Sequence, residues 1–168
     1  MKKALFIGIN YTSVPTATLK GCIDDVVNLS QVLKTYYGFD ASNILMLRDD
    51  TDDPARMPTR ANILSSLASI LANAEPSDEI WIHYSGHGGL IRNISESVIV
   101  PVDYLTAGFI TETDFYAIVQ STICPTIIFM DSCNSGGMCV LNGATNICRG
   151  ANSCKPITPP HRWSIRIS

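Results

Sequence analysis

Four stretches of the chain, Lys3 to Ile9, Ile44 to Leu47, Ile80 to Tyr84 and Thr126 to Met130, are apolar almost without a break instead of alternating with polar residues. A strand with one wet face alternates, so these runs predict strands covered on both faces. Between the first two, Val26, Leu29, Val32, Leu33 and Tyr36 fall at helical spacing across Asp24 to Tyr37, with Gly38 where a C-terminal cap belongs. The pattern returns over Thr59 to Ala74 through Ile63, Leu67, Ile70 and Ala74; Pro58 and Thr59 open it and Glu75-Pro76 closes it. A third, shorter helix is predicted from Thr111, where Thr111-Glu112-Thr113-Asp114 approximates a capping box and Phe115, Ile118 and Val119 form an apolar face. Strands alternating with helices predict an α/β fold: a mostly parallel sheet with helices on both faces. From Met138 onward Asn, Cys, Gly and Pro dominate and periodicity ends. The expectation is one domain over 1–137, followed by a loop or disordered tail over 138–168.

Composition narrows the class. A chain of 168 residues has room for one domain, and 46% hydrophobic against 16% charged residues predicts a packed globule. A net charge of −3 gives no electrostatic footprint for nucleic acid or an anionic membrane. Met1-Lys2-Lys3 followed by an apolar run imitates a signal peptide, but the run stops at Asn10 and reads as a strand. No apolar stretch approaches the ~20 residues of a membrane span. A soluble cytoplasmic protein is expected, in a compartment where a cysteine is more readily chemical than structural.

In parallel sheets, function gathers at the carboxyl ends of strands. Ile80 to Tyr84 runs into Ser85-Gly86-His87-Gly88-Gly89, and Thr126 to Met130 runs into Asp131-Ser132-Cys133-Asn134-Ser135-Gly136-Gly137. Both His87 and Cys133 are thereby expected at one edge of the sheet. An imidazole beside a thiol makes a nucleophile near neutral pH, and glycines let a substrate carbonyl approach backbone N–H groups. Other polar residues have structural readings. Asp24 and Asp25 suit the acidic first turn of a helix, and Asp131 suits a cap on the turn after its strand. His83 reads as a hydrogen-bonded core histidine, Trp81 and Tyr84 as sheet packing, and Cys124 as buried. Asp49, Asp50, Asp52 and Asp53 read as a solvated loop, since the Gly and closing Glu of an EF-hand are missing. Cys139, Cys148, Cys154 and His161 lack the paired spacing of a zinc site, so no metal is expected from them.

Six ordered blocks give these residues a family context: Lys3-Ala4-Leu5-Phe6-Ile7-Gly8-Ile9-Asn10-Tyr11, Leu19-Lys20-Gly21-Cys22-Ile23-Asp24-Asp25-Val26, Pro58-Thr59-Arg60-Ala61-Asn62-Ile63, His83-Tyr84-Ser85-Gly86-His87-Gly88, Val100-Pro101-Val102-Asp103-Tyr104 and Asp131-Ser132-Cys133-Asn134-Ser135-Gly136. In this order they resemble the large catalytic subunit of metacaspases. The resemblance implies a caspase-like three-layer sandwich and a cysteine endopeptidase that cleaves after Arg or Lys. It implies Cys133 as nucleophile, His87 as general base and acid, and the N–H groups of Gly88 and Cys133 as oxyanion hole. Cys22, Asp25, Ser85 and Asp131 fall where the family lines its S1 pocket, and two carboxylates there would favour a basic P1 side chain.

The chain also departs from that pattern. Calcium-dependent metacaspases carry an acidic insertion after the His-Gly motif, but here only Gly89 to Ile99 lies between the two motifs, with Glu96 its single carboxylate. In the later acidic segment the match gives Glu112, Thr113 and Asp114, so no cofactor is expected and a calcium site looks degraded. Only 35 residues follow Cys133, and none of them resembles the family's small subunit. An open edge beside Thr126 to Met130 is therefore expected, with self-association or a separate small subunit as partner. The alternative function is a catalytically silent binding module of the same fold.

Overall fold

The structure, a computed structural model, describes residues 1–91 and 95–132 and the backbone of a strand over 145–149. Its central sheet is parallel throughout, with order β2-β1-β3-β7-β8. β1 is Lys2–Gly8, β2 Ile44–Arg48, β3 Glu79–Ser85, β7 Thr126–Asp131 and β8 Thr145–Arg149. The four apolar runs are thus the four strands of its first part, each within a residue or two of expectation.

Side chains alternate across this sheet, so each strand feeds two cores. Ala4 and Phe6 pack with Val26 and Leu33 of helix α1 (Cys22–Tyr36) on one face. Leu5, Ile7, Ile80, Ile82 and Ile128 meet Ile63 and Leu67 of α2 (Arg60–Ala72) and Phe115 of α4 (Glu112–Val119) on the other. The result is the expected three-layer sandwich of caspase-like type.

The helix ends follow their sequence signals. Thr59 Oγ1 accepts the Asn62 N–H at the start of α2. Thr111 and Asp114 form the full capping box of α4. Gly38 takes the left-handed conformation, φ 71°, that ends α1 and turns the Phe39 N–H back to the Leu33 carbonyl.

A second sheet, antiparallel and absent from the sequence reading, has order β4-β5-β6: β4 is Gly88–Ile91, β5 Glu96–Ile99 and β6 Ile110–Thr111. These strands are two to four residues long, too short for any periodicity to register. A one-turn helix, α3 (Tyr104–Ala107), links β5 to β6.

The tail expectation needs correction. Residues 145–149 are not loop: they form β8, which pairs in parallel with β7 from Ile127↔Thr145 to Asp131↔Arg149. The expected open edge beside β7 is covered at these positions. An unpaired strand edge is a template for any extended segment free of proline. Thr145-Asn146-Ile147-Cys148-Arg149 meets that condition, whereas Pro156, Pro159 and Pro160 lie beyond it.

Candidate active site

The register aligns Gly8, Ser85 and Asp131 as neighbours across the carboxyl ends of β1, β3 and β7, on the face that α1 covers. Gly8 is where the helix sits down. A Cβ there would lie 2.8 Å from the Cys22 carbonyl oxygen and 2.7 Å from a Val26 methyl, so only glycine admits the N-terminus of α1 this close. Asn10 holds that terminus, its side-chain oxygen accepting the Cys22 N–H at 3.1 Å.

Three of the four expected pocket residues therefore meet in direct interactions. Ser85 Oγ donates to Asp25 Oδ2 at 3.3 Å. Burial pushes the Cys22 thiol above its ordinary pKa and the Asp25 and Asp131 carboxylates push the same way, against a hydrogen bond from Ser85. The other three pocket residues thus all act on Cys22. Asp25 also lies in the acidic first turn of α1, so its structural reading holds alongside the pocket reading.

His87 stands between the two sheets, one residue before β4. Its ring Nε2 lies 2.7 Å from the Ala17 carbonyl oxygen, in the short 3₁₀ turn Pro15–Ala17. A carbonyl can only accept, so Nε2 carries the proton and Nδ1 is left with the lone pair. The main chain of His87 pairs with Val100, whose N–H donates to the His87 carbonyl at 3.2 Å. His87–Val100 is thus a hydrogen-bonded pair and Gly88–Ile99 the following non-bonded one, so the Gly88 N–H aims away from β5. Cys133 lies outside the described residues, as do Cys139, Cys154 and His161.

Some expectations change. His83 is buried but not hydrogen-bonded: neither ring nitrogen has a partner among the described residues. It sits edge-on between Phe6 and Phe129 at centroid distances of 5.7 and 4.7 Å, and burial depresses its pKa to about 4. The acidic loop is not merely solvated. Asp49 accepts the N–H groups of Asn10 and Thr12 at 2.8 and 3.3 Å, and Asp50 pairs with Arg48 at 2.6 Å. Tyr84, expected only as packing, donates to the His87 carbonyl at 2.6 Å. Sequence reasoning gave Tyr11, Ala17 and Asp49 no part in the site. The available signal was that Asn10-Tyr11 breaks an apolar strand at the same edge as His87.

In the segments that the family resemblance ties to calcium, Asp103, Asp114, Glu96 and Glu112 are all engaged within the protein, Glu112 by a hydrogen bond from the Ser97 main chain. Asp103 accepts the Arg60 N–H at 2.8 Å, Asp114 pairs with the Arg60 guanidinium at 2.6 Å, and Glu96 accepts the Thr113 N–H at 2.7 Å. Among the described residues no group of three or more His, Cys, Asp or Glu gathers to hold a metal ion. These side chains do not fit a calcium cage, which wants six to eight converging oxygens.

A parallel three-layer sandwich thus brings a histidine whose Nε2 rests on a main-chain carbonyl, and the carboxylates of Asp25 and Asp131, to one edge of the sheet. The family model for the metacaspase, peptidase C14 domain matches residues 2–142, and the chain belongs to that family of cysteine peptidases. It is 41% identical over 145 residues to Metacaspase-1 of Kluyveromyces lactis, covering 80% of this chain and 33% of that protein. It is 42% identical over 146 residues to Metacaspase-1B of Aspergillus oryzae, covering 80% and 34%. The chain spans about a third of the length of these relatives. A solved structure from Geobacter sulfurreducens shares the fold, with TM-score 0.62 and 20% identity over 79% of this chain and 50% of that one.

Proposed function

We propose that this chain carries the catalytic centre of an endopeptidase that cleaves after Arg or Lys through Cys133 and His87. The observation that supports it most is the Ala17 carbonyl on His87 Nε2, which leaves Nδ1 as the atom that takes a proton. The Cys133 thiol gives its proton to Nδ1 and its sulfur attacks the scissile carbonyl carbon; the Gly88 N–H receives the oxyanion. Collapse breaks the C–N bond, and His87 returns the proton to the leaving amine. Water, deprotonated by the same nitrogen, then hydrolyses the thioester. Asp25 and Asp131, beside Cys22 and Ser85, supply negative charge for a guanidinium or ammonium at P1. The free thiols of Cys22 and Cys124 suit a reducing cytoplasmic location.

An arginyl or lysyl fluorogenic peptide tests the proposal. Cys133→Ala and His87→Ala are each expected to abolish turnover. Asp131→Ala is expected to weaken use of arginyl substrate while sparing alkylation of Cys133 by a small reagent. Turnover of an aspartyl substrate in preference to the arginyl one, or a parent rate in Cys133→Ala, would refute it. Normal alkylation without any turnover would favour a silent binding module.

A further inference from the structure

Two buried tyrosine hydroxyls are spliced into the β4/β5 ladder at His87. In an ordinary antiparallel pair His87 and Val100 would exchange two main-chain hydrogen bonds. Only one is direct, from the Val100 N–H to the His87 carbonyl. The other runs through Tyr11: the His87 N–H donates to its hydroxyl at 3.0 Å, and the hydroxyl donates to the Val100 carbonyl at 2.6 Å. Tyr84 mirrors it, donating to the His87 carbonyl at 2.6 Å and accepting from the Val100 N–H at 3.3 Å. The two hydroxyls lie 3.1 Å apart.

The surroundings are shaped to hold this arrangement. Tyr11 adopts φ 54°, a left-handed conformation that a bulky side chain rarely takes, and the Asp49 carboxylate grips the N–H groups on both sides of it. A Cβ on Gly86 would stand 2.6 Å from the Tyr84 hydroxyl and 3.1 Å from that of Tyr11. Burial raises both phenol pKa values, keeping them protonated donors. The Tyr11 ring also packs on the His87 ring, centroids 4.7 Å apart.

We infer that Tyr11 and Tyr84 are positioning residues: their hydroxyls fix the backbone of His87, and through it the direction of the His87 ring and of the Gly88 N–H. The inference rests on the proposed role of His87. Its consequence for catalysis is geometric, since a small displacement of the base and the oxyanion donor costs rate without touching substrate binding.

Phenylalanine at either position keeps the ring and deletes only the hydroxyl. Tyr11→Phe is expected to lower kcat by about 10- to 100-fold with little change in KM. Independently of turnover, nitrogen NMR of the His87 ring, assigned by its loss in His87→Ala, is expected to show one Nε2–H tautomer in the parent and a mixture in Tyr11→Phe. Thermal unfolding reads stability separately. A variant that melts lower but keeps kcat and the single tautomer would overturn the inference, as would a fall in kcat with the tautomer unchanged. If the parent chain shows no turnover, the peptidase reading fails while the tautomer comparison still decides this one. Should Tyr11→Phe not fold, Tyr84→Phe, which leaves the direct Val100–His87 bond in place, carries the same expectation at smaller size.

Discussion

His83 shows how a residue can be read correctly in place and wrongly in chemistry. Its position in an apolar strand foretold burial, but a partner for its ring nitrogens was assumed; the strand instead carries it between two phenyl edges. Stability should carry the mark of this. The unfolded imidazole titrates near 6.5 and the folded one near 4, so above 6.5 both states are neutral and nothing is lost. Between 6.5 and 4 the unfolded chain binds a proton that the folded chain refuses, and stability falls as pH drops through that window. The full effect is on the order of 3 kcal/mol. Urea midpoints measured at pH 7.5 and 4.5 are expected to separate less in His83→Phe than in the parent. Equal separation in both proteins would assign the acid sensitivity elsewhere.

At the scale of elements, the contact between α1 and β1 decides whether a pocket exists. Cys22 and Asp25 ride on the first turn of the helix, and Ser85 and Asp131 are fixed in the sheet; only the close approach over Gly8 joins them. Gly8→Ala puts a methyl within 2.8 Å of the Cys22 carbonyl, a backbone atom that cannot swing aside. Overpacking of this kind costs about 1–3 kcal/mol. The variant is expected to unfold at lower urea and to show a raised KM for arginyl peptide, with a smaller change in the rate of Cys133 alkylation. An unchanged KM would mean that the helix position does not set the pocket.

Over the whole molecule, the sheet continues past β7 into β8, so the outer edge of β7 is paired by the chain itself. Main-chain hydrogen bonding supplies that pairing, and removing it should restore the hazard of an open edge. Truncation after position 144 is expected to produce self-association, visible as a rise in mass by light scattering with protein concentration, while the full 168-residue chain shows a smaller rise. Equal behaviour of the two would show that β8 does not protect the edge.

The sequence by itself determined the strands and helices that bury the most surface, because continuous apolar runs and helical spacing have few packed solutions. Thr59, Thr111 and Gly38 marked helix ends for local reasons that no tertiary contact overrides. A parallel sheet gathers its carboxyl ends, which put His87, Ser85 and Asp131 at one edge; Cys22 and Asp25, on the first turn of α1, were set beside them by the family resemblance alone. Only the tertiary structure decided the short antiparallel sheet, β8 and the tyrosine splice. The strands of the short sheet hold too few residues to show a period, and the tyrosine splice depends on hydrogen bonds between segments far apart in the chain, such as Tyr11 to Val100 and Asp49 to Asn10, which leave no periodicity for a sequence to display.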